Sequence, residues 1–345
     1  MRAPAFWSDP KPGALAHLLS PLGSLYGAVT LHRMEGKSGT VAPIPVVCVG
    51  NLTAGGAGKT PVALALHHLL LAAGRKPGFL SRGYGGQLTG PLLVDPATHS
   101  AAQVGDEPLL LAAQGPTAIA KRRPDGVTSL VRAGVDTIIM DDGFQNPSIS
   151  KTASLVVIDP GHSIGNGLCV PAGPLRAPAA RQLRHADAII IAGAGDLDPP
   201  TLRLVERSGR PVFRVQIGVD PHTRALTGRK VLAFAGIGRP EKLFETLRAA
   251  SADLVATHAF ADHHLYTESE LGRLIRDASV SGAVLATTEK DAVRLRTTPW
   301  GLEALKTLHI VRIDAVFTQP TKVSRFLMER MEAAGGEAAA PNGRT

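Results

Sequence analysis

The chain has 345 residues, 44% apolar and 19% charged, enough for about two packed domains and incompatible with intrinsic disorder. Aromatic residues are only 4%, which speaks against a surface of stacked rings and so against a single-strand nucleic-acid binder. The 37 Lys and Arg against 29 Asp and Glu leave +8, an excess that suits phosphates, acidic lipid headgroups or nucleic acid without choosing among them.

In chain order, residues 14–31 are mostly apolar but contain His17, Pro21, Gly23 and Gly27, interruptions that disfavour a membrane-spanning helix. Two readings fit. One is an interfacial segment with Trp7, Leu15, Leu18, Leu19, Leu22, Leu25 and Tyr26 toward lipid and Arg2, Lys11, His32, Arg33 and Lys37 at headgroups. The other is a buried pair of N-terminal helices. No secretory leader is expected, because Asp9 and Lys11 intrude early.

From residue 44 apolar strands alternate with amphipathic helices. Ile44–Val49 closes on a glycine-rich loop, and Val62, Leu66, Leu69, Leu70 and Ala73 then recur at helical spacing. Further strands are expected at Thr137–Met140, Leu155–Ile158, Ala188–Ala192, Val212–Ile217, Val231–Ala235, Ala283–Ala286 and His309–Ile313. Helices are expected at Pro108–Ala113, Glu241–Ala250, Glu268–Asp277 and Thr321–Ala334. Thr267 with Glu270 makes a capping box. The alternation predicts an α/β protein with largely parallel sheets. The Pro/Gly-rich stretch Pro160–Pro178 is the candidate hinge between two halves, and Gly335–Thr345 reads as a frayed tail. Cys48 and Cys169 can supply neither a disulfide framework nor a four-thiolate zinc site, which fits a reducing, cytoplasmic setting.

The most informative segment is Gly50–Thr60, GNLTAGGAGKT, between a strand and a helix. Glycines let backbone N–H groups turn inward around phosphate oxygens, and the helix N-terminus adds partial positive charge. Thr53, Gly55, Gly56, Ala57 and Gly58 form this cradle; Lys59 would reach the β- and γ-phosphates, and Thr60 would ligate Mg²⁺. The strict pattern asks for glycine where Thr53 stands. Ile138–Asp142 is an apolar strand ending in Asp141 and Asp142, which places carboxylates near such a metal. Guanine binders carry Asn-Lys-x-Asp; Thr288-Glu289-Lys290-Asp291 lacks the spacer, so ATP is favoured over GTP.

Read together with Ser81–Gly86 (SRGYGG), Gly105–Pro108 (GDEP), Asp141–Gln145 (DDGFQ), Phe260–His264 (FADHH) and Thr288–Asp291 (TEKD), the loop resembles the tetraacyldisaccharide 4′-kinase (lipid A 4′-kinase) family. The likeness runs from Phe6-Trp7 to about Leu295. It implies transfer of the ATP γ-phosphate, with Mg²⁺, to the 4′-hydroxyl of an acylated glucosamine disaccharide 1-phosphate, giving lipid IVA. It also implies the cytoplasmic face of an inner membrane, a peripheral or monotopic attachment, and no nucleic-acid partner. The fold expected is α/β: a P-loop NTPase-type parallel sheet flanked by helices, a second smaller α/β domain and an N-terminal membrane-associated helix. The expected divisions are 1–37 for that helix, 38–159 for the nucleotide-binding domain completed by 315–334, 160–314 for the second domain and 335–345 for a disordered tail.

Residue by residue, the resemblance assigns Asp106 and His263 as a catalytic dyad that takes the hydroxyl proton, and Glu107 as an acid near the metal with Asp141 and Asp142. Read alone, Asp106 would be a capping carboxylate before a helix opened by Pro108. Arg82 and Tyr84 fit a loop near an anionic substrate, and Gln145 could orient a phosphate or water or simply make a turn. Two positions depart from the family: Ala177 replaces the acid of Gly-x-Leu-Arg-Glu, and Asn146 replaces the His that commonly follows the Gln. Two rival readings of the phosphate loop are a kinase of a soluble small-molecule hydroxyl and a nucleotide-driven switch without an acceptor.

Overall fold

A computed structural model describes residues 4–36, 39–55 and 58–339; Arg2, Lys37, Gly56 and Ala57 among the expected functional positions lie outside the described residues. The strands in chain order are β1 Val46–Asn51, β2 Pro77–Ser81, β3 Leu92–Leu93, β4 Thr117–Ile119, β5 Thr137–Asp141, β6 Ala153–Ile158, β7 Ala188–Ala192, β8 Val212–Val219, β9 Lys230–Ala235, β10 Asp253–Ala259, β11 Val284–Thr288, β12 His309–Val311 and β13 Ile313–Phe317.

They form two sheets. Nine strands run in the order β13-β8-β7-β6-β1-β5-β2-β4-β3, parallel except for the antiparallel edge pairs β13/β8 and β3/β4. Four parallel strands make the second, in the order β10-β9-β11-β12. β1 lies near the middle of the large sheet between β5 and β6 and is buried throughout, as a strand covered on both faces must be. Its Val47 and Val49 face Val62, Leu66 and Leu70 of the following helix and Val323 and Leu327 of the last one. Val46 and Cys48 pack on the other face with Leu130, Met140, Leu175 and Leu183.

The expected boundary at 160 does not hold. β7 and β8 continue the large sheet beyond β6, so that sheet runs to Val219 before the small sheet begins at Lys230. Nor is 160–178 a hinge: Cys169, Ala172, Leu175 and Ala177 are buried, and Leu175 bridges to both Thr53 and Cys169. Its proline and glycine content serves tight packing. The expected tail is also shorter, since the last helix, Pro320–Ala339, runs through Gly335; residues 340–345 lie outside the described residues. Strong helix formers on both sides carry it past Gly335 and Gly336.

The N-terminal segment is one helix, α1 (Ala14–Glu35), which excludes a buried pair within it. Ala16, Gly23, Gly27 and Leu31 face the protein. A Cβ on Gly23 would stand 2.6 Å from the Cys169 carbonyl and one on Gly27 2.8 Å from the Cys169 Sγ, so the glycines permit the close approach. Leu15, Leu18, Leu22, Leu25 and Val29 recur at alternating three- and four-residue steps and point outward, Leu18 being 76% exposed. By length and composition α1 could cross a membrane.

Candidate active site

The loop after β1 leads into a second helix, α2 (Lys59–Ala72), through Gly58, whose φ of 75° a side chain would oppose. Lys59 Nζ lies 3.4 Å from both Asn51 Oδ1 and the Gly55 carbonyl, and 3.7 Å from Asp142 Oδ1. Thr53, standing where the phosphate-loop pattern has glycine, accepts from Asn51 Nδ2 on its hydroxyl and from Arg176 Nε on its carbonyl. The loop is thus held by side chains from β1 and from the 160–178 segment.

β5 pairs with β1 so that Asp141 lies opposite Val49, one step before the loop. Thr60 Oγ1 stands 3.5 Å from Asp141 Oδ2, while Asp141 Oδ1 is buried without a partner. Burial is the main cause that pushes the Asp141 carboxyl up to about 6, Lys59 opposing it and Asp142 adding to it. An orphaned carboxylate oxygen beside a threonine hydroxyl and a lysine fits a divalent cation whose remaining ligands are phosphate oxygens and water. Asp142 holds a left-handed backbone, φ 52°, and its carboxylate takes Arg176 Nη2 at 3.1 Å. Burial works to raise that carboxyl, but Lys59 and Arg176 outweigh it and hold it below the usual range.

Asp106 opens the helix Asp106–Ala112, yet caps nothing: Gly105 is the N-cap, and the buried Asp106 side chain turns toward the small sheet. His263 Nδ1 lies 2.8 Å from Asp106 Oδ2, and Arg294 Nε and Nη2 donate to the same oxygen at 2.9 and 2.5 Å. Among the described residues no side chain donates to Oδ1. Burial acts to raise the Asp106 carboxyl, and the His263 and Arg294 hydrogen bonds overcome it, so the group sits low. His263 is raised in turn, chiefly by its bond to Asp106. It also has a left-handed backbone, φ 58°, in a turn whose amide donates to Gly236 O at 3.0 Å.

The remaining expected residues divide. Glu107 pairs with Lys290, and both lie close enough to Asp141 to act on its carboxyl, Glu107 raising it and Lys290 lowering it. Gln145 is fully engaged, donating to Asn51 O at 2.7 Å and Gln182 Oε1 at 2.9 Å and accepting from Arg176 Nη1 at 3.2 Å. Arg82 and Tyr84 are exposed, the Tyr84 ring centred 6.1 Å from that of His263. Ala177 is fully buried, and Asn146 Oδ1 accepts from Ser148 N at 2.8 Å.

Two arginines escaped sequence reasoning. Arg294 belongs to the helix Glu289–Leu295, one turn beyond Asp291, whose Oδ1 accepts from Arg294 Nη1, Tyr266 Oη and Gly236 N at 2.9, 2.7 and 3.0 Å. The TEKD motif therefore builds the platform that aims Arg294 at Asp106, and the three-residue step from Asp291 was its only signal. Arg123, beyond β4, is buried with one hydrogen bond, Nη1 to Ala120 O at 2.8 Å, and its Nε has no partner. Burial, then Arg82, brings it down to about 10.

Comparison with known proteins agrees with this layout. The family described as tetraacyldisaccharide-1-P 4′-kinase matches residues 15–332. A tetraacyldisaccharide 4′-kinase of Methylorubrum extorquens (strain PA1) is 50% identical over 328 residues, 95% of this chain and 98% of that protein. One from Methylobacterium nodulans is 55% identical over 296 residues, covering 86% and 88%. A crystal structure of LpxK from Aquifex aeolicus in complex with ATP shares the fold, with a TM-score of 0.71 at 23% identity over 92% of this chain and 99% of that one. With phosphate loop, acid pair and cross-sheet Asp–His pair in one frame, the chain belongs to the tetraacyldisaccharide-1-phosphate 4′-kinase family.

Proposed function

We infer that the protein transfers the γ-phosphate of ATP to the 4′-hydroxyl of tetraacyldisaccharide 1-phosphate, a step of lipid A synthesis that yields lipid IVA. The observation that carries this reading is the Asp106–His263 pair, 2.8 Å long, joining the two sheets on a chain that matches the family over residues 15–332.

Lys59, with the loop around Gly55 and Gly58, binds the β- and γ-phosphates. Thr60 and Asp141 are the residues that would hold Mg²⁺, which neutralises charge on the transferring phosphoryl group when bound. Asp142 keeps Lys59 and Arg176 directed to the phosphates. A sugar hydroxyl is a poor nucleophile at neutral pH and needs a base in reach. Asp106 offers its unengaged Oδ1, while His263 and Arg294 hold Oδ2 and so set the direction of the free lone pairs. His263, with its proton affinity raised by Asp106, shares the proton that arrives. Glu107, paired with Lys290 and within electrostatic reach of Asp141, is a further acid near the metal. Arg82 and Tyr84, both exposed and with Tyr84 beside His263, lie on the acceptor side in this reading, where Arg82 would meet an anionic group.

The protein works as two units, one on each sheet, with the proton acceptor clamped between them. The outward stripe of α1 lies in the membrane interface, with His32 and Arg33 at headgroup level, on the cytoplasmic face where ATP is found. That stripe favours an acylated acceptor over a soluble one. Replacing Asp106 by Ala should lower lipid phosphorylation by roughly 10²–10⁴ while nucleotide binding persists. Parental turnover in that variant would refute the base assignment.

A further inference from the structure

The turn that carries the acid pair is held from below by a lysine that no motif includes. Lys151 lies in the short link between this turn and β6, half-buried, and its ammonium donates to Asn146 O at 2.8 Å and Phe144 O at 3.0 Å. No carboxylate pairs with it among the described residues, and burial lowers its proton affinity. An ammonium kept in such a place is costly, so a neutral side chain of similar length would serve packing better.

What it grips explains its retention. Gly143 cannot carry a side chain, because a Cβ would stand 2.0 Å from Met140 Sδ. Phe144 is buried and lies against Gly50, and Gln145 reaches Asn51 O at 2.7 Å. Phe144 and Gln145 thus tie the turn to β1, while Arg176 holds Asp142 and Gln145 from the 160–178 segment. The carbonyls of Phe144 and Asn146 point the other way, and Lys151 gathers both on one point charge. That clamp limits rotation of the turn about Asp142, whose backbone is already left-handed.

We propose that Lys151 is a positioning residue for the metal end of the site: by holding two carbonyls of the Asp142–Asn146 turn, it keeps Asp141 and Asp142 in register with Thr60 and Lys59. The proposal rests on the reading of Asp141 as a cation ligand, and the test separates the two.

The probe is Mn²⁺ bound to the full-length protein with a non-hydrolysable ATP analogue, read by electron paramagnetic resonance, alongside kcat and the KM for acceptor lipid. Lys151→Met should weaken Mn²⁺ binding by roughly 10–100-fold and lower kcat by a similar factor, with the lipid KM unchanged. Lys151→Arg, able to reach both carbonyls with a cation, should remain close to the parent. If Lys151→Met does not fold, Lys151→Gln carries the same measurement. Parental Mn²⁺ affinity and kcat in a variant whose only change is a lower Tm would overturn the proposal, as would a loss in Lys151→Arg equal to that in Lys151→Met. Asp141→Asn is measured beside them. If it too binds Mn²⁺ like the parent, the metal reading fails; if it loses Mn²⁺ while Lys151→Met does not, only the role of Lys151 fails.

Discussion

Replacing Asp141 by Asn should abolish activity and yet make the free protein more stable. Asp141 is buried, its Oδ1 has no partner, and Asp142 follows it directly. Its carboxyl titrates at about 6 in the folded protein against 3.8 ordinarily, which corresponds to about 3 kcal/mol charged against the fold above that range. At roughly 2.1 cal/mol/K per residue the chain unfolds with an entropy of about 0.7 kcal/mol/K, so the variant should melt about 4 °C higher at pH 7.5 if it melts as one unit. The sign follows from proton binding. The folded carboxyl holds its proton more tightly than the unfolded chain does, so the penalty grows as pH rises from 3.8 to about 6 and is constant above. The gap between variant and parent should vanish below pH 3.8. Mg·ATP at about 1,000 times its Kd should then reverse the order, because it stabilises the parent by about 4.1 kcal/mol and a variant lacking the cation ligand far less. Calorimetry with and without Mg·ATP measures all of this. A variant that melts below the parent at pH 7.5 without ligand would refute the argument that Asp141 is held unsatisfied for a cation.

The Asp106–His263 pair should stabilise the protein within two pH limits. The Asp106 share is present above 3.8 and lost as pH falls through its lowered value; the His263 share is complete below 6.5 and lost as pH rises through its raised one. The melting difference between the parent and His263→Gln should therefore peak between those limits and shrink in alkali, and a difference that widens in alkali contradicts it. On α1, Leu18→Asp with Leu25→Asp removes two outward side chains, 76% and 63% exposed, each worth about 1.5–3 kcal/mol when buried. Sedimentation with anionic vesicles should fall by more than about tenfold while turnover of a short-chain acceptor holds; unchanged sedimentation rejects the interfacial placement. Gly23→Val should cost about 1–3 kcal/mol, because its Cβ meets the Cys169 carbonyl at 2.6 Å, whereas Gly218→Ala in β8, with open space around it, should not destabilise; equal melting of the two would deny the close helix contact.

How much of this could be read from the chain depended on range. The phosphate loop and the acid-tipped strand are local: glycines, a lysine and an apolar run declare them within a dozen residues. β10 was missed because alternate residues of this edge strand are exposed and it carries Asp253, Thr257 and His258, so it lacks an apolar run. β2 was missed because Pro77 and Gly78 head it, and β4 because three residues show no period. The boundary at 160 was misplaced because proline and glycine there serve close packing against α1 and the phosphate loop. Asp106 read alone looked like a cap; only the fold brings Arg294, 188 residues away, onto its Oδ2. Arg123 and Lys151 carry no pattern at all, since each acts through backbone carbonyls that any sequence supplies.

The most direct test of the account is the fate of the γ-phosphate. The purified protein in detergent, given labelled ATP, Mg²⁺ and tetraacyldisaccharide 1-phosphate, should place the label on the lipid as a second phosphate monoester at the 4′-oxygen, identified by phosphorus NMR. Label transfer should be much weaker with a deacylated analogue and should be lost in Asp106→Ala. ATP hydrolysis that proceeds with the lipid unlabelled would contradict the account, leaving a phosphate-loop ATPase in which Asp106 and His263 serve no acceptor.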